Sequence, residues 1–251
     1  MRKKIIAANW KMHKTVEQTT DFLREIASHD FPGEAWIAPP FTALHTAAEF
    51  VRSRGIKIQI GGQNMHEASH GAFTGEISGS MLKEAGATFC IIGHSERRNL
   101  FHESDHQINA KLKSAFAAGL TPIFCIGEHE AARDSGEFME QIELQISSGL
   151  LGIETSCFKR MVFAYEPVWA IGTGKAATPQ IAQETHRRIR SYIAKRWGDS
   201  IADTLPLLYG GSANEANAGH LLSESDIDGL LIGGASLEVK SFLAILSQVK
   251  P

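Results

Sequence analysis

The chain has 251 residues, a hydrophobic fraction of 43% and a formal net charge of −3. Apolar material in that proportion can fill one large core, and no Pro/Ser/Gly-rich linker, charge block or low-complexity tract divides residues 1–251, which points to a single domain. The slight negative charge gives no electrostatic reason to expect nucleic acid or an anionic membrane as partner.

Met1-Arg2-Lys3-Lys4 has the basic character of a signal-peptide start, but the apolar run behind it, Ile5 to Ala8, is too short for an h-region. No stretch approaches the length of a transmembrane helix. Cys90, Cys125 and Cys157 are odd in number and lie in apolar surroundings, so buried reduced thiols are expected rather than a disulfide framework. These features together predict a cytoplasmic protein.

In chain order, short apolar runs alternate with helical patterns. Lys4 to Asn9 reads as the first strand. Thr15 and Gln18 then form a capping box ahead of Phe22, Leu23 and Ile26 on one helical face. Ala35 to Ala38 is the second strand, stopped by Pro39-Pro40, and a helix from Thr42 ends at Gly55. Lys57 to Gly62 is the third strand, followed by a long polar loop, Gln63 to Ser78, and a short helix ending near Gly86. Thr88 to Gly93 is the fourth strand. A second capping box, Ser104 and Gln107, opens a helix whose buried stripe is Ile108, Leu112, Ala115 and Phe116.

Thr121 to Ile126 is the fifth strand, with helical material from Glu128 to Leu151 that breaks near Ser135-Gly136. Met161 to Tyr165 is the sixth and ends on Glu166. Pro167 stops that strand, because proline has no N–H for the ladder. An apolar stretch, Val168 to Ile171, and Gly172-Thr173-Gly174 follow, which reads either as a movable lid over a carboxylate or as an ordinary connecting loop beside a surface acid. Thr178-Pro179 caps the next helix, with Ile181, Thr185, Ile189, Ile193 and Trp197 predicted to face the core. Leu205 to Tyr209 and Ile227 to Ile232 complete eight strands, and a last helix carries Val239, Phe242, Leu243 and Leu246. Eight strand–helix units with continuous apolar strands predict a (β/α)8 barrel. The rival, a doubly wound open sheet, would carry a glycine fingerprint after the first strand, and Asn9-Trp10-Lys11-Met12 is not one.

In a barrel all strand C-termini open on one face, so their polar residues converge. Here they are Asn9 and Lys11, His94 and Glu96, and Glu166. Glycine-rich turns follow the last three strands, at Gly172-Thr173-Gly174, Gly210-Gly211-Ser212 and Gly233-Gly234. Backbone N–H groups exposed by such turns suit a phosphate, although each turn alone is also an ordinary strand-to-helix connection. His94, if it begins a helix, would meet backbone N–H groups that keep its ring neutral, as a hydrogen-bond donor or proton shuttle; without the barrel it reads as a surface or satisfied core histidine. Lys11 fits an electrostatic clamp, a Schiff-base nucleophile or a solvated lysine. Glu96 fits either a partner for Lys11 or a plain first-turn helix acid.

Other motifs fail on inspection. The GTGK run lacks the earlier glycine of a P-loop, since Trp169 stands in its place. His66/His70 and His102/His106 have the spacing of metal ligands but no third ligand nearby, and read as solvated. The aromatics do not interleave with basic residues as a nucleic-acid platform requires.

Particular segments carry a family likeness: NWKM at 9–12, APPFTAL at 38–44, GQN and GAFTGEIS after the third strand, and IGHSERR at 92–98. CIGE at 125–128, AYEPVWAIGTGKAAT at 164–178, YGGS at 209–212 and DIDGLLIGGASL at 226–237 complete the set. On these, nearly end to end, the chain resembles the triosephosphate isomerases. The resemblance implies interconversion of dihydroxyacetone phosphate and D-glyceraldehyde 3-phosphate, in glycolysis and gluconeogenesis, with neither cofactor nor metal. It implies Glu166 as the base at carbon, neutral His94 as carbonyl electrophile and proton shuttle, and Lys11 with Asn9 beside the enediolate oxygens. Gly172, Ser212, Gly233 and Gly234 would hold the phosphate, and residues 167–177 would be the lid. It further implies a homodimer in which the loop after the third strand enters the partner, with Thr74 steadying the neighbour's Asn9 and Lys11. His13 and Ala213 depart from the usual asparagine and valine, at positions with no matched catalytic role. Two other classes fit parts of the pattern: a Schiff-base aldolase using Lys11, and a non-catalytic phosphosugar-binding module.

Overall fold

The computed structural model describes residues 2–170 and 177–250. Strands β1 (Ile5–Asn9), β2 (Glu34–Ala38), β3 (Ile58–Gly62) and β4 (Phe89–Ile92) pair in sequence order. They continue through β5 (Thr121–Ile126), β6 (Val162–Tyr165), β7 (Leu207–Tyr209) and β8 (Gly229–Ile232). All pairs are parallel, and β8 returns to β1 with Ile5 opposite Gly229, closing the (β/α)8 barrel. Helices α1 (Val16–Ile26), α2 (Phe41–Arg54) and α3 (Gly79–Glu84) follow the first three strands. Next come α4 (Ser95–Leu100) and α5 (Asp105–Ala117) after β4, then α6 (Glu130–Ser135) and α7 (Phe138–Gly149) after β5. The circuit ends with α8 (Pro179–Trp197) and α9 (Asp199–Ala202), α10 (Ala218–Leu222), and α11 (Val239–Leu246).

Alternation along each strand decides which side chains face the barrel axis. Ile5 and Ala7, Trp36 and Ala38, Phe89 and Ile91, Ile123 and Cys125, and Val162 and Ala164 form the inner cluster with Leu208 and Leu231. Their neighbours Ile6, Ala8, Ile37 and Phe163 belong to the layer between strands and helices. The Trp36 and Phe89 rings, 4.9 Å apart, fill space that the small Ala7, Ala38 and Ala164 leave. One further step along the same inward rows reaches Asn9 on β1 and Glu166 just beyond β6. Both are buried, at the barrel's C-terminal mouth.

Local signals set most helix boundaries. Thr15 Oγ1 accepts the Gln18 N–H and the Gln18 side chain accepts the Thr15 N–H, so both halves of the first capping box form. Ser104 and Gln107 repeat it ahead of α5. Such a cap stabilises a helix by about 1 kcal/mol, which Thr15→Ala would forfeit. Behind α1, Trp10 is fully buried, edge-on to Phe22 at 4.8 Å, and donates its indole N–H to the Ser236 carbonyl at 3.2 Å. That contact pins the turn carrying Asn9 and Lys11 against the turn after β8.

Two expectations require correction. Ile181 is 36% exposed, and the buried face of α8 is Ala182, Thr185, His186, Ile189, Arg190 and Ile193. A strict four-residue row drifts about 40° per step around a helix of about 3.6 residues per turn, so its first member falls off the core side. Within the Gln63–Ser78 loop, Met65 is fully buried and fills the space beside Gly79. His66 is half-buried with its ring 4.1 Å from that of Phe73, because two flat apolar faces cover each other inside the loop. Among the described residues no helix is long and apolar enough to cross a membrane.

Candidate active site

A cavity of about 620 Å³ opens at the C-terminal mouth. Asn9, Lys11, His94, Glu96, Glu166, Ser212, Gly233 and Gly234 all line it. The sequence-derived candidates from five separate strand ends therefore meet in one place. Gly172 and most of the expected lid lie outside the described residues. Thr74 does not line the cavity of its own chain and is exposed on the Gln63–Ser78 loop.

Glu166 is 2% exposed, and its backbone N–H donates to the Ile126 carbonyl at 2.8 Å. Gly127 makes that approach possible, since a Cβ at this position would lie 1.8 Å from the Glu166 carbonyl oxygen. Gln145 holds Gly127 in place with bonds to both its N–H and its C=O, at 2.8 and 2.9 Å. The carboxylate accepts the Ser95 N–H on Oε2 at 2.9 Å and the Ser95 hydroxyl on Oε1 at 3.1 Å. Beside it, burial with the Glu166 carboxylate close by pushes the Cys125 thiol well above its usual range, so Cys125 stays a neutral packing group.

His94 is the N-cap of α4, as the sequence suggested, and its Nδ1 accepts the Glu96 N–H at 3.2 Å. A backbone N–H can only donate, which leaves Nδ1 without a proton and places the ring proton on Nε2. Nε2 lies 3.1 Å from Glu166 Oε1. Lys11 adopts the left-handed conformation, φ 51, and its Nζ meets Glu96 Oε1 at 2.5 Å. Of the readings open for Glu96, the pairing with Lys11 is the one observed. Asn9 Oδ1 accepts the Lys11 N–H at 3.1 Å and Gln63 donates to the Lys11 carbonyl at 2.8 Å, so the unusual turn is held from both sides.

On the opposite wall, Ser212 Oγ donates to the Ala170 carbonyl at 2.9 Å. A Cβ on Gly233 would come within 3.4 Å of Lys11 Cε, so the lysine stem crosses close to that glycine turn. The start of the expected lid is anchored below: Trp169 Nε1 and the Tyr165 hydroxyl each donate to Glu128 Oε1 at 2.9 Å. Burial raises the Glu128 carboxyl above its usual range, and the Trp169 and Tyr165 hydrogen bonds oppose that shift.

Ser95, Gln63 and Glu128 were not singled out from sequence. The signal available for Ser95 was its place directly after the capping histidine, where a first-turn N–H is unclaimed by the helix. The two histidine pairs acquire no further ligands, and among the described residues no group of three or more His, Cys, Asp or Glu is placed to hold a metal ion.

A closed parallel barrel with a carboxylate, an imidazole and an ammonium in one mouth, faced by glycine turns, defines a (β/α)8 protein with a candidate proton-transfer site. A triosephosphate isomerase family profile matches residues 4–249. The chain is 47% identical to a triosephosphate isomerase of Carboxydothermus hydrogenoformans over 98% of both chains. It is 46% identical to one of Protochlamydia amoebophila, over 97% of this chain and 92% of the relative, and 46% identical to one of Dictyoglomus thermophilum, over 98% and 99%. The chain belongs to the triosephosphate isomerase family.

Proposed function

We propose that this chain interconverts dihydroxyacetone phosphate and D-glyceraldehyde 3-phosphate through an enediolate, as a step of glycolysis and gluconeogenesis in the cytoplasm. The observation that carries this reading is the adjacency of Glu166 and His94 within one buried mouth, 3.1 Å apart, in a chain of this family. A base and an electrophile acting at adjacent atoms avoid building a full carbanion.

In this reading Glu166 removes the carbon-bound proton. Both its oxygens are held by Ser95, so reaching substrate requires that the side chain swing away from the start of α4. His94 donates its Nε2 proton to the substrate carbonyl oxygen and takes protons back as the enediolate collapses. Lys11 and Asn9 stabilise the developing negative charge on the same oxygens, and Glu96 keeps the Lys11 ammonium aimed across the mouth. Ser212, Gly233 and Gly234, with Gly172, hold the phosphate through backbone N–H groups. Excluding water under residues 167–177 protects the enediolate from losing phosphate.

The working unit in this reading is a homodimer. A second groove of about 420 Å³ borders the first and shares Asn9, Lys11, His94 and Glu96 with it. Its rim carries Met12, 95% exposed, and Phe101, 64% exposed. The loop tip, with Thr74 and a 47% exposed Phe73, supplies a protruding counterpart of matching character.

A coupled isomerase assay on the purified chain tests the activity, and an inactive, folded protein would refute it. Borohydride reduction in the presence of substrate separates the enediol route from a Lys11 Schiff base, because only the latter leaves a covalent adduct.

A further inference from the structure

Arg98 lies on α4 four residues beyond His94 and does not line the cavity. Its guanidinium makes three hydrogen bonds. Nε donates to the Gly93 carbonyl at 2.8 Å, Nη1 to Asp105 Oδ1 at 2.6 Å, and Nη2 to the Cys125 carbonyl at 3.1 Å. The acceptors come from three places: the residue after β4, the inner row of β5, and the first turn of α5.

The pairing of β4 with β5 stops at Ile92 opposite Phe124, so the guanidinium takes over where the ladder ends. Gly93 is the residue immediately before His94, and its φ of 75 is a conformation that only glycine adopts readily. That left-handed step turns the chain off β4 and into the cap of α4. A Cβ on Gly93 would lie 3.1 Å from Ile108 Cδ1 and 3.3 Å from Arg98 Nη2, so the turn is packed tightly on the side where Arg98 binds it. Arg98 thus closes a ring: it starts from α4, grips the carbonyl on the other side of His94, and ties both to β5.

We propose that Arg98 is a positioning residue for His94. By bracing the Gly93–His94 turn against β5, it sets where the imidazole Nε2 stands over the cavity and opposite Glu166. The role depends on fork geometry. A planar guanidinium reaches three acceptors in fixed directions, whereas a lysine ammonium offers a single nitrogen on a flexible stem. Displacing a reacting group by about 1 Å can cost about 10²-fold in rate. The inference rests on the isomerase reading for its kinetic arm only.

The experiment uses the full chain. Wild-type isomerisation is measured first, which decides the functional reading independently. In Arg98→Lys, kcat is expected to fall about 10–100-fold while KM stays within about threefold, because Arg98 makes no contact with the glycine turns after β7 and β8. The ¹⁵N resonances of the His94 ring should shift or broaden in the same variant, and this readout holds even if the wild type proves inactive as an isomerase. Asp105→Asn keeps both carbonyl bonds and should leave kcat within about threefold and the His94 spectrum unchanged. In Arg98→Ala, added methylguanidinium should restore part of the lost kcat.

The proposal is overturned if folded Arg98→Lys leaves the His94 resonances in place, or holds kcat within threefold of an active wild type. It is equally overturned if Asp105→Asn loses as much as Arg98→Lys. Arg98 variants that all unfold would assign the residue to stability alone and end the proposal.

Discussion

Glu166 is bound through both carboxylate oxygens to one residue, Ser95, whose N–H and hydroxyl approach to 2.9 and 3.1 Å. The proposed base is therefore parked on the first turn of α4, next to the imidazole that would act with it. If Glu166 is the base, Glu166→Gln is nearly isosteric and can keep the Ser95 N–H bond through its one amide oxygen, with its NH2 donating to the Ser95 hydroxyl, but it cannot accept a proton. Removing a positioned base costs about 10²–10⁴-fold. A folded Glu166→Gln that retained more than about a tenth of wild-type kcat, only about 1.4 kcal/mol of barrier, would remove Glu166 from that role. Ser95→Ala should matter far less, since the N–H donor remains.

Gly127→Ala should damage the site from behind. The new methyl group would overlap the Glu166 carbonyl oxygen, and the backbone there is fixed by Gln145 and by the Glu166–Ile126 bond. Overpacking of this kind costs about 1–3 kcal/mol, and relief requires β6 to shift outward with Glu166. Chemical denaturation and kcat should therefore both fall for this one-methyl change, and unchanged values for the two would show that the mouth is softer than its contacts imply.

The dimer reading predicts that Thr74→Arg weakens association and activity together, although no proton-transfer residue is touched. A charge buried without a partner costs several kcal/mol. Sedimentation velocity run beside the kinetic assay separates the outcomes. A monomer with undiminished kcat would show that each barrel works alone.

Acid stability should depend on His186. The residue is fully buried, its Nδ1 donates to the Ala182 carbonyl at 2.8 Å, and burial lowers its pKa from 6.5 to about 4. Between those values the unfolded chain binds the proton and the folded one does not. Stability is thus unaffected by this group above about pH 6.5 and falls as pH drops toward 4, where the loss reaches about 3 kcal/mol. His186→Gln should flatten the slope of unfolding free energy against pH in that window, whatever its effect at neutral pH. An unaltered slope would place the acid sensitivity elsewhere.

Much of this protein is legible along the chain because the deciding interactions are local. The Thr15–Gln18 and Ser104–Gln107 boxes span four residues each, Thr178-Pro179 announces α8, and the apolar runs mark eight strands within a residue or two. A backbone N–H on the His94 ring could be expected only on the condition that His94 begins a helix, which the structure meets. Strand alternation then carries Asn9 and Glu166 into the mouth once a barrel is assumed. What the order of residues could not decide is how distant groups meet. Glu166 reaches Ser95 across 71 positions, Lys11 reaches Glu96 across 85, and Gly127 is small because of a carbonyl that arrives from β6. Periodicity gives a side chain's direction relative to its own element, but the space and partners it finds are set by barrel closure, which depends on all eight strands at once.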